Sequence, residues 1–137
     1  KLTTNIGFTN DGDGNAIVDA NGLYVIFVDF INKKIAVEPA KVYGMGDAFG
    51  GWDTAKYPFT VADGKASIKT VDAKNLRMYA TSPSIDEHSG ADWWRHEFNL
   101  FNNAIVYRGT GGDQDAVAVG AGKTVTLDFN AGTGTIE

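Results

Sequence analysis

The sequence predicts an all-β fold built as a sandwich of antiparallel sheets, and two observations support that prediction. Glycine accounts for 17 of the 137 residues, and turn-forming clusters such as NDGDGN, ADGK and NAGTG recur along the chain. Between these clusters lie short runs rich in Val, Ile, Tyr, Phe and Thr, the residue types that favour strands. Short strands at this spacing are typical of an immunoglobulin-like sandwich rather than of a helical fold.

The first predicted strand is the apolar run LYVIFVDF, which Asp29 interrupts and which is too short to cross a bilayer. Runs bounded by turn residues continue the pattern through IAVE, KVYGM, YPFTV and KASIKTV. In NLRMYA, Leu76 and Met78 alternate with Arg77, which places the arginine on the polar face of that strand. In chain order the predicted strands are 23–30, 34–38, 41–45, 57–61, 65–71, 75–80, 96–101, 104–108, 115–119, 123–129 and 133–136.

An internal repeat predicts how the chain is organised. The segment DGDGNAIVDANGLYV at 11–25 aligns without a gap on GGDQDAVAVGAGKTV at 111–125, and the match resumes one deletion later. We therefore expect residues 1–40 to be the closing strands of a preceding module and residues 41–137 to form one module, with Pro39 at the join. The alternative is that 1–40 adds strands to this module's own sheet. Lys1 is not an initiator methionine, so we expect the sequence to be a piece of a longer protein.

Composition and motifs argue against several classes of function. The net charge of -5 offers no basic patch for nucleic acid, and the absence of cysteine excludes thiol chemistry. The run GMGDAFGG lacks dinucleotide-loop spacing, NDGDGN is explained by a tight turn, and the two histidines lack a metal-binding pattern. The carboxylates of Asp86, Glu87, Asp92 and Glu97 are explained more simply as solvated groups than as a hydrolase pair. The sequence predicts a protein without catalytic residues, metal or cofactor.

The tryptophans provide the strongest functional indication. Trp52 follows two glycines in FGGWD, so we expect its ring to lie on a turn. Alternation along DWWRHEFNL places Trp94 on the same face as Phe98 and Leu100, which marks that face as core. The same alternation places Trp93 on the opposite, exposed face.

Exposed indoles suit sugar binding, because the apolar face of a pyranose ring stacks on them while its hydroxyls need charged or amide partners. Arg77, Arg108 and Asp113 can supply those partners. Each stacked sugar hides about 50–100 Å² of apolar surface, or roughly 1–2.5 kcal/mol, so we expect millimolar to tens-of-micromolar binding that suits modules working in series. The alternative is that Trp52 and Trp93 merely cover the rim of the sandwich.

Four segments together resemble one known family. KVYGMGDAFGGWD, NLRMY, DWWRHEF and AIVYRGTGGDQDAVAVGAGKTVTLDFNAGTGTIE are similar to a module of the SusE and SusF family, the surface glycan-binding lipoproteins of Bacteroidetes starch-utilisation systems. The resemblance covers about residues 41–137. It implies a C-terminal, non-catalytic starch-binding module on the extracellular face of the outer membrane. It also implies a lipid anchor outside this piece and other outer-membrane glycan-uptake proteins as partners.

The resemblance also implies a binding site. Trp52 is the first aromatic platform and a tryptophan of DWW is the second, most simply Trp93, with Trp94 as the other choice. Arg77 and Arg108 donate to sugar hydroxyls, and Asp113 accepts from them. Three alternatives stay open. The ligand could be a different polysaccharide, because the stretch TSPSIDEHSGAD between Arg77 and Trp93 is long and could reshape the site. The module could instead be a structural or protein-interaction spacer, or a glycoside hydrolase.

Overall fold

The computed structural model describes all residues from Lys1 to Glu137, and strands dominate it. The only helices are an α-helix, α1 (Pro83–Ser89), and a 3-10 helix (Gly90–Arg95), and neither is long and apolar enough to cross a membrane. The all-β prediction is confirmed. The strands are β1 (Thr4–Ile6), β2 (Thr9–Asn10), β3 (Ala16–Ile17), β4 (Tyr24–Asp29), β5 (Lys34–Pro39), β6 (Lys41–Gly44), β7 (Tyr57–Pro58), β8 (Thr60–Ala62), β9 (Lys65–Lys69), β10 (Met78–Thr81), β11 (Glu97–Phe101), β12 (Ala104–Tyr107), β13 (Thr124–Asp128) and β14 (Thr133–Ile136).

The chain divides into two compact units, Lys1–Ala40 with Thr81–Gly90 and Lys41–Ala80 with Ala91–Glu137. The second unit holds a nine-stranded sheet in the order β7-β6-β10-β11-β12-β14-β13-β9-β8. Its two edge strands, β7 and β8, are separated in sequence by Phe59 alone. The sequence predicted one strand over 57–61; instead, the chain bends at buried Phe59, so that its two halves pair with opposite ends of the sheet. The sheet therefore closes on itself.

The core of this second unit follows strand alternation in β13, whereas β10 buries both Met78 and Tyr79. Val125 and Leu127 on β13 are fully buried, as are Met78 on β10 and Leu76, two residues before that strand. Gly134 on β14 is required by this packing, because a Cβ there would lie 2.8 Å from Leu100 Cδ2. A predicted strand over 115–119 was wrong: that segment contributes only an isolated bridge from Ala118 to Asn75.

Strand β11 departs from the predicted alternation, because both of its faces are covered. Phe98 and Leu100 are buried as expected, but Glu97 and Asn99 on the other face are buried too. Asn99 is satisfied by donating from Nδ2 to the carbonyl of Leu76 at 2.8 Å. The polar residues Glu97 and Asn99 on this strand are therefore shielded from solvent.

The first unit contains a three-stranded sheet, β1-β5-β4, and the small β2-β3 hairpin. The sequence did not predict β1, β2 or β3, and β1 pairs with β5 in parallel rather than antiparallel fashion. The tight turn predicted at NDGDGN is confirmed, since Asp11 Oδ1 accepts from the backbone N–H groups of Asp13 and Asn15.

The insertion TSPSIDEHSGAD forms α1 and the start of the 3-10 helix rather than a loop. Ser82 caps α1, and buried Glu38 accepts hydrogen bonds from the Ser84 backbone N–H at 3.0 Å and hydroxyl at 2.7 Å. Burial alone would raise the pKa of Glu38, but hydrogen bonds from Ser84 and Ser82 outweigh it and lower the pKa. Glu38 therefore ties β5 to α1 as a carboxylate.

Candidate functional site

Trp52 is held at the end of a glycine-rich turn. Gly46 and Gly51 pair across this turn, with Gly46 N–H donating to Gly51 O at 2.7 Å and Gly51 N–H donating to Gly46 O at 3.1 Å. Gly46 has a φ of +86° and lies against the indole, since a Cβ there would be 3.1 Å from Trp52 Cζ2. The residue remains 47% exposed. As the sequence predicted, its ring belongs to a turn.

Two arginines converge on one buried carboxylate in the second unit. Glu97 on β11 is almost fully buried and receives Arg77 as a bidentate partner, from Nε to Oε1 at 2.6 Å and from Nη2 to Oε2 at 2.8 Å. Arg108 donates from Nη1 to Glu97 Oε2 at 3.3 Å. The hydrogen bond that Arg77 donates to Glu97 raises the pKa of Arg77; burial opposes this effect, and the charges of Glu97 and Asp113 reinforce it. Arg77 is therefore a firmly held cation.

Asp113 completes the cluster from the glycine-rich loop. Its Oδ1 lies 3.2 Å from Arg77 Nη2 and 3.1 Å from Arg108 Nη1. The Asp113 side chain is 70% exposed, whereas the side chains of Arg77 and Arg108 are 24% and 8% exposed. Two guanidinium and two carboxylate groups therefore form a charge-balanced cluster with Asp113 on its solvent side.

The cluster reaches Trp52 through Arg77, whose Cζ lies 5.0 Å from the centre of the indole. Beside them is an open cavity of about 350 Å³, which Lys74 and Asn75 also line. The structure thus brings together four predicted site residues, namely Trp52, Arg77, Arg108 and Asp113. The volume falls within the usual range for small-ligand sites.

Trp93 and Trp94 lie elsewhere than the sequence predicted. They belong to the 3-10 helix that precedes β11, so strand alternation does not apply to them, and both are half-buried. The assignment of Trp94 to the core and Trp93 to solvent was therefore wrong. Trp93 packs on the ring of Tyr79 with centroids 4.9 Å apart, and Trp94 meets Trp93 edge-on at 5.9 Å.

Tyr79 connects this tryptophan pair to the turn that carries Trp52. Its hydroxyl accepts a hydrogen bond from Ala55 N–H at 2.8 Å, three residues after Trp52. Its ring is buried between Trp93 and Tyr43, with centroids 4.9 and 5.3 Å away. Tyr79 therefore contacts both Trp93 and the backbone of the segment that follows Trp52.

Sequence reasoning missed Glu97 and Tyr79 as site residues. A usable indication was present in the turn between β11 and β12, where Asn102 and Asn103 both have positive φ and form a two-residue hairpin turn. That turn fixes the register, and the register places Glu97 opposite Arg108. The burial of Tyr79 by Trp93 depends on the 3-10 helix and had no such local indication.

The arrangement is suited to holding a neutral polyhydroxyl ligand. An exposed indole offers a stacking face, fixed guanidinium groups donate, and an exposed carboxylate accepts. Glu97 is fully engaged by the two arginines. An exposed indole beside fixed donors and an exposed acceptor on a β-sheet is the arrangement expected of a carbohydrate-binding module.

Comparison with known proteins identifies the family. A family model described as SusF/SusE starch specific CBMs (carbohydrate-binding modules) matches residues 41–135. The chain therefore belongs to the SusF/SusE family of starch-specific carbohydrate-binding modules, which confirms the predicted resemblance and the prediction of a binding protein rather than an enzyme.

Individual relatives agree with that assignment. The chain is 39% identical to the Outer membrane protein SusF of Bacteroides thetaiotaomicron over 139 residues, which cover 96% of the chain and 28% of the relative. It also matches the crystal structure of SusF from Bacteroides thetaiotaomicron with a TM-score of 0.81 and 35% identity, over 96% of the chain and 31% of that structure. The match confirms the predicted β-sandwich fold. The chain spans less than a third of the length of these relatives.

Proposed function

We propose that this module binds α-glucan on the surface formed by Trp52 and the Arg77, Arg108 and Asp113 cluster. The observation that carries the proposal is the half-exposed indole of Trp52 with the Arg77 guanidinium 5.0 Å from its ring, in a chain of a starch-specific binding family. One pyranose face stacks on the indole, and its hydroxyls meet the charged cluster. Binding is weak, roughly millimolar to tens of micromolar, because one or two stacked sugars offset little more than the cost of association.

The charged residues take different roles in this proposal. Arg77 uses Nε and Nη2 on Glu97 and Asp113, which leaves Nη1 to donate to a sugar hydroxyl. Asp113 accepts from a hydroxyl, since it is exposed. The Arg108 side chain is largely covered, so only its exposed edge can donate to a sugar hydroxyl. Its main role is to hold Asp113 in place.

The tryptophan pair supplies the second platform, and the contacts favour Trp94 as the stacking ring. Trp93 is held between Tyr79 and Trp94, whereas Trp94 has Trp93 as its ring neighbour. The ring with fewer aromatic neighbours has more of its face available for a sugar. Trp93 then acts as the support that orients Trp94, the reverse of the assignment that strand alternation predicted.

Calorimetry tests the function directly. The chain is titrated with maltoheptaose, cyclodextrin, and xylan, mannan and pectin fragments, beside the Trp52→Ala variant. We expect heat with the α-glucans and about tenfold weaker binding by the variant. Binding confined to another glycan would replace the α-glucan assignment, and sugar release from amylopectin would favour a hydrolase. The absence of retardation on every polysaccharide affinity gel would favour a spacer.

We also propose that residues 1–40 are the closing strands of a preceding module. The hairpin β4-β5 has the same register as the closing hairpin β13-β14: Asp29 pairs with Lys34, as Asp128 pairs with Thr133. In both hairpins the aspartate Oδ1 accepts from backbone N–H groups two and three residues later. The two hairpins therefore share strand pairing and turn structure, as expected for repeated modules.

Burial supports the same proposal. In the register of the two hairpins, where Asp29 corresponds to Asp128, Ile26 and Phe30 take the places of Val125 and Phe129, yet they are 69% and 81% exposed while Val125 is fully buried. An apolar strand face without a covering layer fits a hairpin that belongs to another module. Expression of residues 41–137 alone decides between the alternatives: folding and unchanged maltoheptaose affinity support the proposal, and failure to fold assigns 1–40 to this module.

We propose, finally, that the full-length protein displays this module on the extracellular face of the outer membrane. The support is the name of the relative, Outer membrane protein SusF, and the resemblance to lipid-anchored starch-utilisation proteins. In this proposal the anchor lies outside this chain, and the module works beside other outer-membrane glycan-uptake proteins. Surface labelling of intact cells with an antibody to residues 41–137 tests the location, and crosslinking followed by affinity capture tests the partners.

A further inference from the structure

Glu97 is an unusual residue for a strand interior, because it is a buried carboxylate close to a solvent-exposed site. Burying a charge is unfavourable unless the group is paired and hydrogen-bonded. Here Arg77 occupies both oxygens, at 2.6 and 2.8 Å, and Arg108 adds a contact at 3.3 Å. The position of Glu97 in the sheet therefore determines where the guanidinium groups of Arg77 and Arg108 lie.

A continuous set of contacts runs from Glu97 to the stacking surface. Glu97 fixes Arg77, and the Arg77 guanidinium lies 5.0 Å from the centre of the Trp52 ring. Gly46 also lies against that indole, since a Cβ there would be 3.1 Å from Trp52 Cζ2. Because Trp52 sits on a turn and is half exposed, these two neighbours limit its orientation.

The cluster also has no net charge. Glu97 and Asp113 balance Arg77 and Arg108, and each arginine contacts both carboxylates. A balanced cluster can form hydrogen bonds to the hydroxyls of a neutral glycan without attracting anions. Removal of the Glu97 charge would leave an excess positive charge at the site.

We propose that Glu97 is the positioning residue of the glycan site, which orders Arg77 and through it Trp52, and which keeps the site selective for neutral sugars. The inference rests on the proposed function. Ordering before binding matters because each long side chain that must be immobilised by the ligand weakens association. A carboxylate that served stability alone would change the unfolding temperature and leave affinity and ligand charge preference unchanged.

A double-mutant cycle tests the positioning role. Maltoheptaose is titrated into the parent chain, Glu97→Gln, Arg77→Ala and the double variant. We expect Glu97→Gln to bind about tenfold more weakly, and the double variant to bind no more weakly than Arg77→Ala, because Glu97 acts through Arg77. Parent-like affinity of Glu97→Gln, or fully additive losses, would overturn the proposal.

Glu38→Gln is the matched control, since Glu38 is also a buried carboxylate but is bonded to Ser84 rather than to an arginine. It should lower stability and leave the maltoheptaose affinity unchanged. Inorganic phosphate is the probe for charge selectivity: Glu97→Gln should bind it and the parent should not. If neither binds phosphate, the selectivity half of the proposal is wrong.

An NMR measurement on the parent chain keeps the proposal testable even if Glu97→Gln does not fold. The Nε–H proton of Arg77 should exchange slowly with solvent, because Nε lies 2.6 Å from Glu97 Oε1. The Nε–H proton of the exposed Arg95 should exchange fast. Fast exchange at Arg77 would refute the ordering. Absence of maltoheptaose binding by the parent would instead refute the proposed function, and unchanged binding by Trp52→Ala would refute only the location of the site.

Discussion

Truncation of the two adjacent tryptophans should have different consequences, and the structure sets the size of each. A tryptophan buries 150–250 Å² when enclosed, so a half-buried Trp93 loses about 100–150 Å² of contact on truncation, or roughly 2.5–4 kcal/mol. Loss of its packing on Tyr79, with centroids 4.9 Å apart, adds about 0.5–1.5 kcal/mol. At about 2–4 °C per kcal/mol, Trp93→Ala should lower the Tm by roughly 10 °C.

Trp94→Ala should cost less stability than Trp93→Ala and should reduce affinity as well. Trp94 is also half-buried, so its truncation should cost roughly 2.5–4 kcal/mol of burial, but its one ring neighbour is at 5.9 Å and it lacks the additional packing on Tyr79. Loss of one stacked sugar, roughly 1–2.5 kcal/mol, should weaken maltoheptaose binding about tenfold. Differential scanning calorimetry and titration calorimetry on both variants separate the two effects. A larger Tm loss for Trp94→Ala, with affinity unchanged, would refute the reasoning from ring contacts.

Three further predictions concern single positions. Trp52→Ala should weaken maltoheptaose binding about tenfold and lower the free energy of unfolding by less than Trp93→Ala does, because the indole is 47% exposed and lacks the packing on Tyr79; a stability loss as large as that of Trp93→Ala would mean that the ring is structural. Gly44→Ala should destabilise the module by about 1–3 kcal/mol, because the new Cβ would lie 2.5 Å from the ring of Phe49, whereas Gly112→Ala, with open space around it, is the matched control. Because the pKa of Glu38 is lowered, its contribution to stability is present above the ordinary glutamate value of 4.5 and is lost as pH falls through the folded-state pKa. Glu38→Gln should therefore reduce the loss of stability at acid pH in urea unfolding measured over a series of pH values. An unchanged pH dependence would contradict this.

Local patterns predicted a strand at each of β4 to β14, although not at β1 to β3. Alternation in NLRMY correctly placed Leu76 and Met78 in the core and left Arg77 facing the site, but the same alternation puts Tyr79 on the polar face, and Tyr79 is buried. The same rule failed across GADWWRHEF, because residues 90–95 form a 3-10 helix and the strand begins only at Glu97. A periodicity of two carries information only where the backbone is extended.

The sequence by itself determined the all-β fold, the similarity between residues 11–25 and 111–125, the turn that presents Trp52, and the residue types suited to sugar binding. Each of these depends on neighbours within a few residues or on self-similarity along the chain. Only the tertiary structure decided that Glu97 is buried between Arg77 and Arg108 and that Tyr79 supports Trp93. Those contacts join residues 11 to 20 positions apart, and a strand pattern gives the face of a residue but not what covers that face.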